Sequence, residues 1–578
     1  MRLTRSLAIA SLLPLLGLLF STQCPAQVRV DPGQLPGRTI FYAYWHGTPT
    51  GEIRKGNSLY ALWDDPDFAS VRTSFIETMI STEKPKDQPA LSREELAQYA
   101  TLLDNAFLVG YLRRAEPPAA AKTATANPAH AWNGMFLIYD RSGKEEILSK
   151  AVLRMRGSEK DIPKLTETTV AGVPSLKIER KSGTTYWAEF GRYAVSASEG
   201  PVFEEILNMV NGKPGSSLLS QSAHYQEAKP LLSGGVLEFF LSVPSVKELA
   251  ADVPPSSGPS QVMPFFNALK LDSVHSLAGH VVLDGARTRM EAGILGDTAP
   301  GGLFDIFSDG QANPASLAYL SPDTIYYNES QLNFLGLYQT LKRALTQAGG
   351  NTSQIVNPLE SAAETRIGMP LPDALGLVTG EFATLQTSPT LEDNQKIYLL
   401  GIHNKPDALK LTRTLLGDRI SSERNEGSAT FLKISLGGGQ STAGVAQWNF
   451  YYLAMTPTLL MGSSKSDTLR KYVTQPASAD LALPKVMQAA RAKYPEKLNG
   501  FTYFDFQKVD WAGLKTQWVA QINKTAKAEK TKEAEANEKR LADWMSQVNP
   551  EVFPRHLHTL VGASWKDAKG VHIEEWLE

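Results

Sequence analysis

Two stretches of the chain begin in nearly the same way: Pro36-Gly37-Arg38-Thr39-Ile40-Phe41-Tyr42 and Pro322-Asp323-Thr324-Ile325-Tyr326-Tyr327. The regions that they open also end alike, with His275-Ser276-Leu277-Ala278-Gly279 in the first and His558-Thr559-Leu560-Val561-Gly562 in the second. The separation along the chain between Thr39 and Thr324 is nearly the same as that between His275 and His558. Because the start and the end are displaced by nearly the same amount, we predict that one unit occurs twice in the chain.

Four further matches lie between these ends, and they occur in the same order in both regions. They pair Phe136–Tyr139 with Ile397–Leu400, Ser175–Ile178 with Phe431–Ile434, Tyr193–Ser198 with Leu459–Ser464, and Val236–Phe240 with Phe501–Phe504. Each match is short, so the argument depends on their common order. The period is too long for a solenoid, and each copy is expected to be a domain with its own core. The predicted organisation is a secretory signal peptide at 1–26, repeat domain one at 27–305 and repeat domain two at 306–578.

Within a copy, short β-rich runs alternate with helical runs. Residues 175–180, 186–190 and 193–197 are separated by glycine-containing turns, which predicts an antiparallel meander. Asp284-Gly285 between two β-rich runs predicts a hairpin. Helices are predicted at 144–155 and 202–210, and at 406–416 and 467–473 in the second copy. This alternation favours an α+β fold, in which each domain is a mainly antiparallel sheet with helices packed on it.

The composition is that of a globular protein, with 42% hydrophobic and 20% charged residues. A formal net charge of -2 provides no overall field that would attract nucleic acid, so no nucleic-acid partner is expected. The single cysteine, Cys24, excludes a disulfide framework and a thiolate metal site. No cofactor, catalytic or metal-binding residue is predicted.

The first residues have the layout of a secretory signal peptide. Arg2 and Arg5 precede an apolar run from Leu7 to Phe20, and cleavage is expected after the small residue Ala26. The run is shorter than the about 20 residues that cross a bilayer, and no transmembrane segment is expected in the mature chain. Lipid attachment at Cys24 is disfavoured because the residue before it is Gln23. We therefore expect a bacterial periplasmic or otherwise extracytoplasmic protein.

Two insertions break the similarity between the copies. Residues 118–130, rich in Ala, Thr and Pro, are predicted to form a surface loop. Residues 515–547 are dominated by Lys, Glu and Ala, and Trp518, Val519 and Ile522 are expected to fix one end to the body of the protein. Leu541, Trp544 and Met545 are expected to fix the other end. This insertion is either a projecting helix or helical hairpin that meets a partner, or a solvated helix without one.

Motifs that could carry chemistry are few. His556 and His558 share one face if they lie on a strand, but no third metal ligand is evident, while His275 and His280 are predicted to point to opposite faces. Asp64-Asp65-Pro66-Asp67 is better explained as a helix cap, with Asp67 capping a helix at 68–80, than as a calcium loop. The glycine-rich segment 437–444 lacks the Lys and hydroxyl of a phosphate-binding loop.

Aromatic residues are the remaining candidates for ligand contact. They include Tyr42, Tyr44 and Trp45 in the first copy and Trp448, Phe450, Tyr451 and Tyr452 in the second. Rings on an exposed sheet face could hold sugars or acyl chains, and core packing is the alternative explanation.

The openings at 36–42 and 322–327, together with Leu459–Ser464 and the helix after it, resemble an uncharacterised bacterial domain-of-unknown-function family of exported tandem-repeat proteins. The similarity covers most of residues 36–578. Gly37-Arg38 in the first copy departs from the single Asp of the family's Pro-Asp-Thr opening. The resemblance implies an extracytoplasmic α+β protein without an assigned activity, and it transfers no functional residues.

Three functional hypotheses follow from these observations. The leading one is an exported, non-enzymatic binding or structural protein of the bacterial cell envelope, whose partner is a protein, a lipid or a glycan. The second is a periplasmic hydrolase with a site in the cleft between the domains, which requires converging carboxylates or a Ser-His pair. The third is a carrier of a hydrophobic ligand, which requires an apolar cavity.

Overall fold

An antiparallel sheet of 20 strands dominates the structure, which is a computed structural model. It describes residues 30–69, 71–72, 93–113, 134–155, 164–180, 183–251, 267, 269–298, 302–347, 352–391, 395–435, 451–474, 485–528, 539, 542–543 and 545–578. The predicted signal peptide, the loop at 118–130 and the glycine-rich segment at 437–444 therefore lie outside the described residues. Helices pack on the sheet, which confirms the α+β class.

The first half of the chain contains strands β1 to β10. They are β1 (Thr39–Trp45), β2 (Phe107–Leu112), β3 (Met135–Asp140), β4 (Lys164–Val170), β5 (Val173–Arg180), β6 (Gly183–Phe190), β7 (Tyr193–Ala197), β8 (Leu237–Ser242), β9 (Val274–Asp284) and β10 (Arg287–Gly296). The described helices of this half are α1 (Gly51–Gly56), α2 (Ser58–Asp64), α3 (Arg93–Ala100), α4 (Glu145–Met155), α5 (Gly200–Val210), α6 (Ala223–Ala228) and α7 (Val243–Ala251).

The second half contains strands β11 to β20. They are β11 (Tyr326–Gln331), β12 (Val378–Gln386), β13 (Ile397–Ile402), β14 (Ile420–Glu426), β15 (Ala429–Ile434), β16 (Tyr452–Met455), β17 (Leu459–Ser463), β18 (Gly500–Asp505), β19 (Thr559–Asp567) and β20 (Gly570–Leu577). The described helices of this half are α8 (Phe334–Gln347), α9 (Thr352–Ile367), α10 (Leu371–Leu375), α11 (Lys405–Leu416), α12 (Ser466–Thr474), α13 (Lys485–Arg491), α14 (Trp511–Ala528) and α15 (Val552–His556).

The hydrogen-bonded order of the strands is the same in both halves. In the first half it is β4-β5-β6-β7-β3-β2-β1-β8-β9-β10. In the second half it is β14-β15-β16-β17-β13-β12-β11-β18-β19-β20. The predicted meander (β5, β6, β7) and the hairpin at Asp284-Gly285 are confirmed, as are the four predicted helices, which are α4, α5, α11 and α12.

The two halves are joined where β10 pairs with β20. Eight antiparallel residue pairs, from Thr288 with Leu577 to Leu295 with Gly570, connect these strands, and Glu291 lies opposite Glu574. The sequence predicts a separate sheet in each copy. The pairing of β10 with β20, which the sequence does not predict, joins the two sheets into one. We call β10 and β20, with their neighbours β9 and β19, the seam.

One face of the sheet, which we call face A, carries the two largest groups of buried apolar side chains. In the first half α5 and α6 cover this face, with Phe203, Ile206 and Tyr225 packed over Tyr42 and Phe240. In the second half α12 and α13 cover it through Leu469, Met487 and Ala490. Tyr42 and Tyr44 are thus core residues, as packing predicts.

A second contact between the halves lies at one end of the seam, where α2 packs against α15. Asp65 accepts from Arg555 at 2.7 Å and lies 2.7 Å from Nε2 of His556. Burial alone would raise the pKa of Asp65, but hydrogen bonds from His556, Arg555 and the Asp67 amide together hold it below its usual range. This ion-pair group fixes helices that are distant in sequence.

The structure corrects two predictions made for these residues. Asp65, not Asp67, caps the short 3-10 turn Pro66–Phe68, where it accepts from the Asp67 amide, while the rest of the predicted helix at 68–80 lies largely outside the described residues. His556 ends α15 instead of lying on a strand, and His558 is exposed, so the two histidines do not form a shared strand face.

The charged insertion is attached only partly as predicted. Residues 515–528 continue α14, where Trp518 is 43% exposed and Val519 and Ile522 are half-buried, and Met545 at the other end is also half-buried. The anchor lies one to two turns earlier, where Trp511 stacks on Phe553 with 4.6 Å between ring centroids and Leu514 is buried. Trp544 and Leu541 lie outside the described residues. None of the described helices is both long and apolar enough to cross a membrane.

We predict that Gly570→Ala lowers the midpoint of thermal unfolding far more than Gly183→Ala does. Both glycines have strongly positive φ, +142° at Gly570 and +149° at Gly183, so backbone strain is common to the two variants. A Cβ at Gly570 would collide with the Ile294 carbonyl across the seam, whereas nothing lies within 4 Å at Gly183. The expected excess cost is about 2 kcal/mol, and equal midpoints would contradict the tight seam contact.

Candidate functional site

Four ionisable side chains lie in a row across the seam. Glu238 of β8 lies opposite His280 of β9, His280 lies opposite Glu291 of β10, and Glu291 lies opposite Glu574 of β20. Directly opposed residues of antiparallel strands point to the same face, with Cβ atoms about 5 Å apart. The row therefore forms a continuous charged strip on face A, between the two buried cores. We call these four residues the seam row.

The inner end of the seam row is buried and built around histidines. His46 Nε2 lies 3.5 Å from Glu238 Oε2, with side-chain exposures of 10% and 5%. His280 Nε2 lies 3.6 Å from Glu291 Oε2, and Arg289 forms an ion pair with the same carboxylate. The fixed positive charge of Arg289 reduces the repulsion between Glu291 and the neighbouring carboxylates.

The outer end of the seam row is more accessible and is centred on Glu574. Burial raises the pKa of this carboxyl, and the negative charge of Glu291 raises it further. Arg289, Lys493 and a hydrogen bond from Tyr494 act in the opposite direction. Like charges directly opposite each other in a sheet are unfavourable. A cationic or hydroxyl-bearing ligand between Glu291 and Glu574 would relieve that cost.

Aromatic rings surround the outer end of the seam row. Trp565 stacks on His572 with 5.4 Å between centroids, and Tyr494 lies 6.0 Å from Trp565. Trp576 is buried beneath Lys493, whose Nζ lies 5.7 Å from the ring centroid. The carboxylates therefore lie beside flat apolar surfaces, a combination that suits ligands with both polar groups and apolar faces.

The second half has a separate buried polar network around Glu329 of β11. Tyr327 donates to Glu329 at 3.0 Å and Gln331 donates to it at 2.8 Å. Arg491 lies 3.6 Å from the same carboxylate. Burial raises the pKa of Glu329 to about 7, against the opposing effect of these three partners. Glu329 is 1% exposed, so this network serves the core and not a ligand.

The chemistry available at the seam row is that of paired carboxylates. The side chains of Glu291 and Glu574 project from directly opposed backbone positions, one beside Arg289 and the other with a raised pKa. Two carboxyl groups in different electrostatic surroundings are the arrangement that general acid–base chemistry uses. The same arrangement can bind a ligand without reaction, because both groups form strong hydrogen bonds.

A cavity between β1, β2, β3 and β7 is lined by Tyr44, Leu108, Ile138 and Tyr193, among others. Its volume of about 10 Å³ suits one water molecule. An acyl chain needs far more space, so this cavity does not supply what a carrier of hydrophobic ligands requires.

The sequence does not predict that any residue of the seam row belongs to a binding or catalytic site. Glu291 and Glu574 are far apart along the chain, each in an isolated position, and only the pairing of β10 with β20 brings them together. The signal that could have found them is their equivalent place in β10 and β20, the last strands of the two halves. Of the aromatic candidates, Trp45 is buried and Tyr451 is 44% exposed, while Trp448 and Phe450 lie outside the described residues.

Comparison of the chain with protein-family models, with curated proteins and with solved structures gives no match.

We predict that Glu329→Gln removes a pH dependence from the stability of the protein. The pKa of Glu329 is about 7 in the folded protein, against an ordinary value of 4.5. The folded protein therefore binds this proton more tightly than the unfolded chain does. The wild-type free energy of unfolding should therefore fall, relative to that of the variant, as the pH rises from 4.5 through 7. The difference should reach about 1 to 3 kcal/mol by pH 8 in urea unfolding. A difference that stays constant with pH would contradict the assignment.

Proposed function

We propose that the protein is an exported, non-enzymatic binding or structural protein of the bacterial cell envelope, built from two related ten-strand units, and that its ligand binds at the seam row. The observation that carries the proposal is the position of Glu291 and Glu574. They are accessible charged groups at the junction of two similar units, beside aromatic rings. Junctions between domains are common places for ligand sites.

The ladder registers support the relation between the two units. If Thr39 corresponds to Thr324, then Tyr42 corresponds to Tyr327, and cross-strand partners carry the correspondence outward in both directions. Toward the seam, the path Tyr42, Phe240, Ala278 matches Tyr327, Tyr503, Val561. Ala278 and Val561 hold the same place in the two closing motifs, which begin at His275 and His558.

The same reasoning works away from the seam. The path Tyr42, Gly110, Phe136, Ala197, Tyr186, Lys177 matches Tyr327, Leu385, Ile397, Ser463, Tyr452, Lys433. The step from Ile397 to Ser463 extends by one residue the register in which Tyr398 pairs with Gly462. Phe136 with Ile397 and Lys177 with Lys433 are the pairs matched in the sequence. Only the match at β8 shifts, because Phe240 corresponds to Tyr503 and not to Phe504. Such agreement supports duplication of one unit, and the family resemblance of the repeats remains part of this proposal.

The residues that correspond between the units favour a structural role for the shared framework. Thr39 and Thr324 are both fully buried, as are Tyr42 and Tyr327. The seam row is different, because Glu238 corresponds to Phe501 and His280 to Ala563. Glu291 and Glu574 correspond to each other, but the inner end of the row, Glu238 and His280, has no ionisable counterpart in the second half. This difference favours one asymmetric ligand site over two equivalent reaction centres.

A periplasmic hydrolase is the second candidate, and the Glu291–Glu574 pair favours it. Side chains on directly opposed positions have Cβ atoms about 5 Å apart, and retaining glycosidases use carboxyl groups at a similar separation. Glu574, with its raised pKa, would act as the acid, and Glu291 beside Arg289 would act as the nucleophile.

We predict that replacing the seam carboxylates removes a co-purifying ligand. In native mass spectrometry, wild-type protein should carry a bound species that the double variant Glu291→Gln, Glu574→Gln has lost. Glu575→Gln is the matched control, because Glu575 neighbours Glu574 but points to the other face and pairs with Met290. The same bound species on all three proteins, or none on the wild type, would contradict the proposed site.

The same variants separate binding from hydrolysis. With nitrophenyl glycosides as substrates, the binding proposal predicts no turnover by wild-type protein above that of the double variant. Turnover by wild type and by Glu575→Gln that is lost in both Glu291→Gln and Glu574→Gln would overturn the non-enzymatic proposal and establish the hydrolase.

A further inference from the structure

Three metal-ligating side chains meet at the end of the β9–β10 hairpin remote from its turn. They are His224 and Glu227 of α6 and His275 of β9, and one ligand atom from each lies within 4.8 Å of the other two. Neither the seam row nor the core uses these groups. The cluster is half-buried, with side-chain exposures of 21% for His275 and 29% for Glu227.

The local backbone explains how these side chains meet. His224 and Glu227 are three residues apart on α6, so they occupy the same side of the helix. On β9 the ladder is irregular, because Leu295 pairs with Ser276 while Gly296 pairs with Val274. His275 is the extra residue of this bulge, and a bulge redirects the side chain that it carries. His275 consequently faces α6, on the face that also carries His280, and the prediction that these two histidines point to opposite faces is wrong.

The contacts within the cluster already resemble a coordination shell. His275 Nδ1 lies 2.8 Å from Glu227 Oε2, and the rings of His224 and His275 are 4.7 Å apart at a 34° angle. On the other side of His275, Nε2 lies 3.7 Å from Asp297 Oδ2. Asp297 thus faces the ring nitrogen that an ion beside Glu227 leaves unused, where a carboxylate can orient the imidazole.

We propose that His224, Glu227 and His275 bind a divalent transition-metal ion of the zinc class. Two imidazoles and one carboxylate are ligands that zinc accepts, whereas calcium and magnesium select oxygen ligands. Ion binding replaces the His275–Glu227 hydrogen bond with two metal–ligand bonds. A water molecule completes the tetrahedron.

The second half of the chain provides an internal comparison. His558 occupies the position in the second repeat that His275 occupies in the first, and it is exposed. The helix over the corresponding strands, α13, has the sequence Lys485-Val486-Met487-Gln488-Ala489-Ala490-Arg491 and contains neither histidine nor a carboxylate. The proposed site thus belongs to the first half alone, where the ion would fix α6 to the β9–β10 hairpin.

The test uses full-length protein stripped with EDTA and titrated with ZnCl₂ in a calorimeter. Wild type and the control His558→Ala should each bind one zinc ion, and His275→Ala should bind it at least tenfold more weakly. Glu227→Gln, a milder change, should weaken binding in the same direction. Zinc should also raise the unfolding midpoint of wild type and leave that of His275→Ala unchanged.

Two results would overturn the metal site. One is wild-type protein that binds zinc no more tightly than His275→Ala does. The other is an equal loss of affinity in His558→Ala, which would indicate binding by scattered surface histidines. Comparing the unfolding midpoints of the metal-free variants shows whether each has folded, so a loss of binding is not confused with a loss of structure.

Discussion

Strands β10 and β20 each have a neighbour within their own half on one side only. On the other side they pair with each other, so neither is left as an exposed edge. An unpaired edge of this length exposes a row of N–H and C=O groups that invites aggregation. Eight residue pairs satisfy that edge internally and turn two ten-strand sheets into one. The position of the cores, the contact of α2 with α15 and the neighbours of Glu291 all depend on this pairing.

The same pairing decides where polar chemistry can occur. Helices cover face A in each half and bury a core there. The seam is the part of face A that lies between these two cores. The acidic pair Glu291 and Glu574 lies on this strip, with cationic groups from both halves around it. Electrostatic repulsion between the opposed carboxylates is unfavourable. A ligand bound between them would reduce this repulsion, which agrees with the proposed site. The buried Glu329 network contrasts with it, because solvent and ligands do not reach that carboxyl.

Much of the fold could be predicted from the sequence because its signals are local. Asp284-Gly285 marks a hairpin, and apolar periodicity marks α5. The contacts that define the candidate site are not local. Glu291 and Glu574 are separated by almost the whole second half of the chain, and no turn or periodicity in the sequence predicts their contact. Strand alternation predicts the wrong face for His275 because a bulge breaks that alternation, and the shared face considered for His556 and His558 requires a strand where the chain is helical.

Hydrogen exchange along β10 tests the seam most directly. Alternate amides of a central antiparallel strand donate to the neighbours on its two sides, so β10 needs both β9 and β20 for full protection. In exchange measured by mass spectrometry, the peptide covering 288–295 should take up almost no deuterium while the protein is native. Rapid uptake at about half of its amides, as expected for a strand that has only β9 beside it, would contradict the joined sheet.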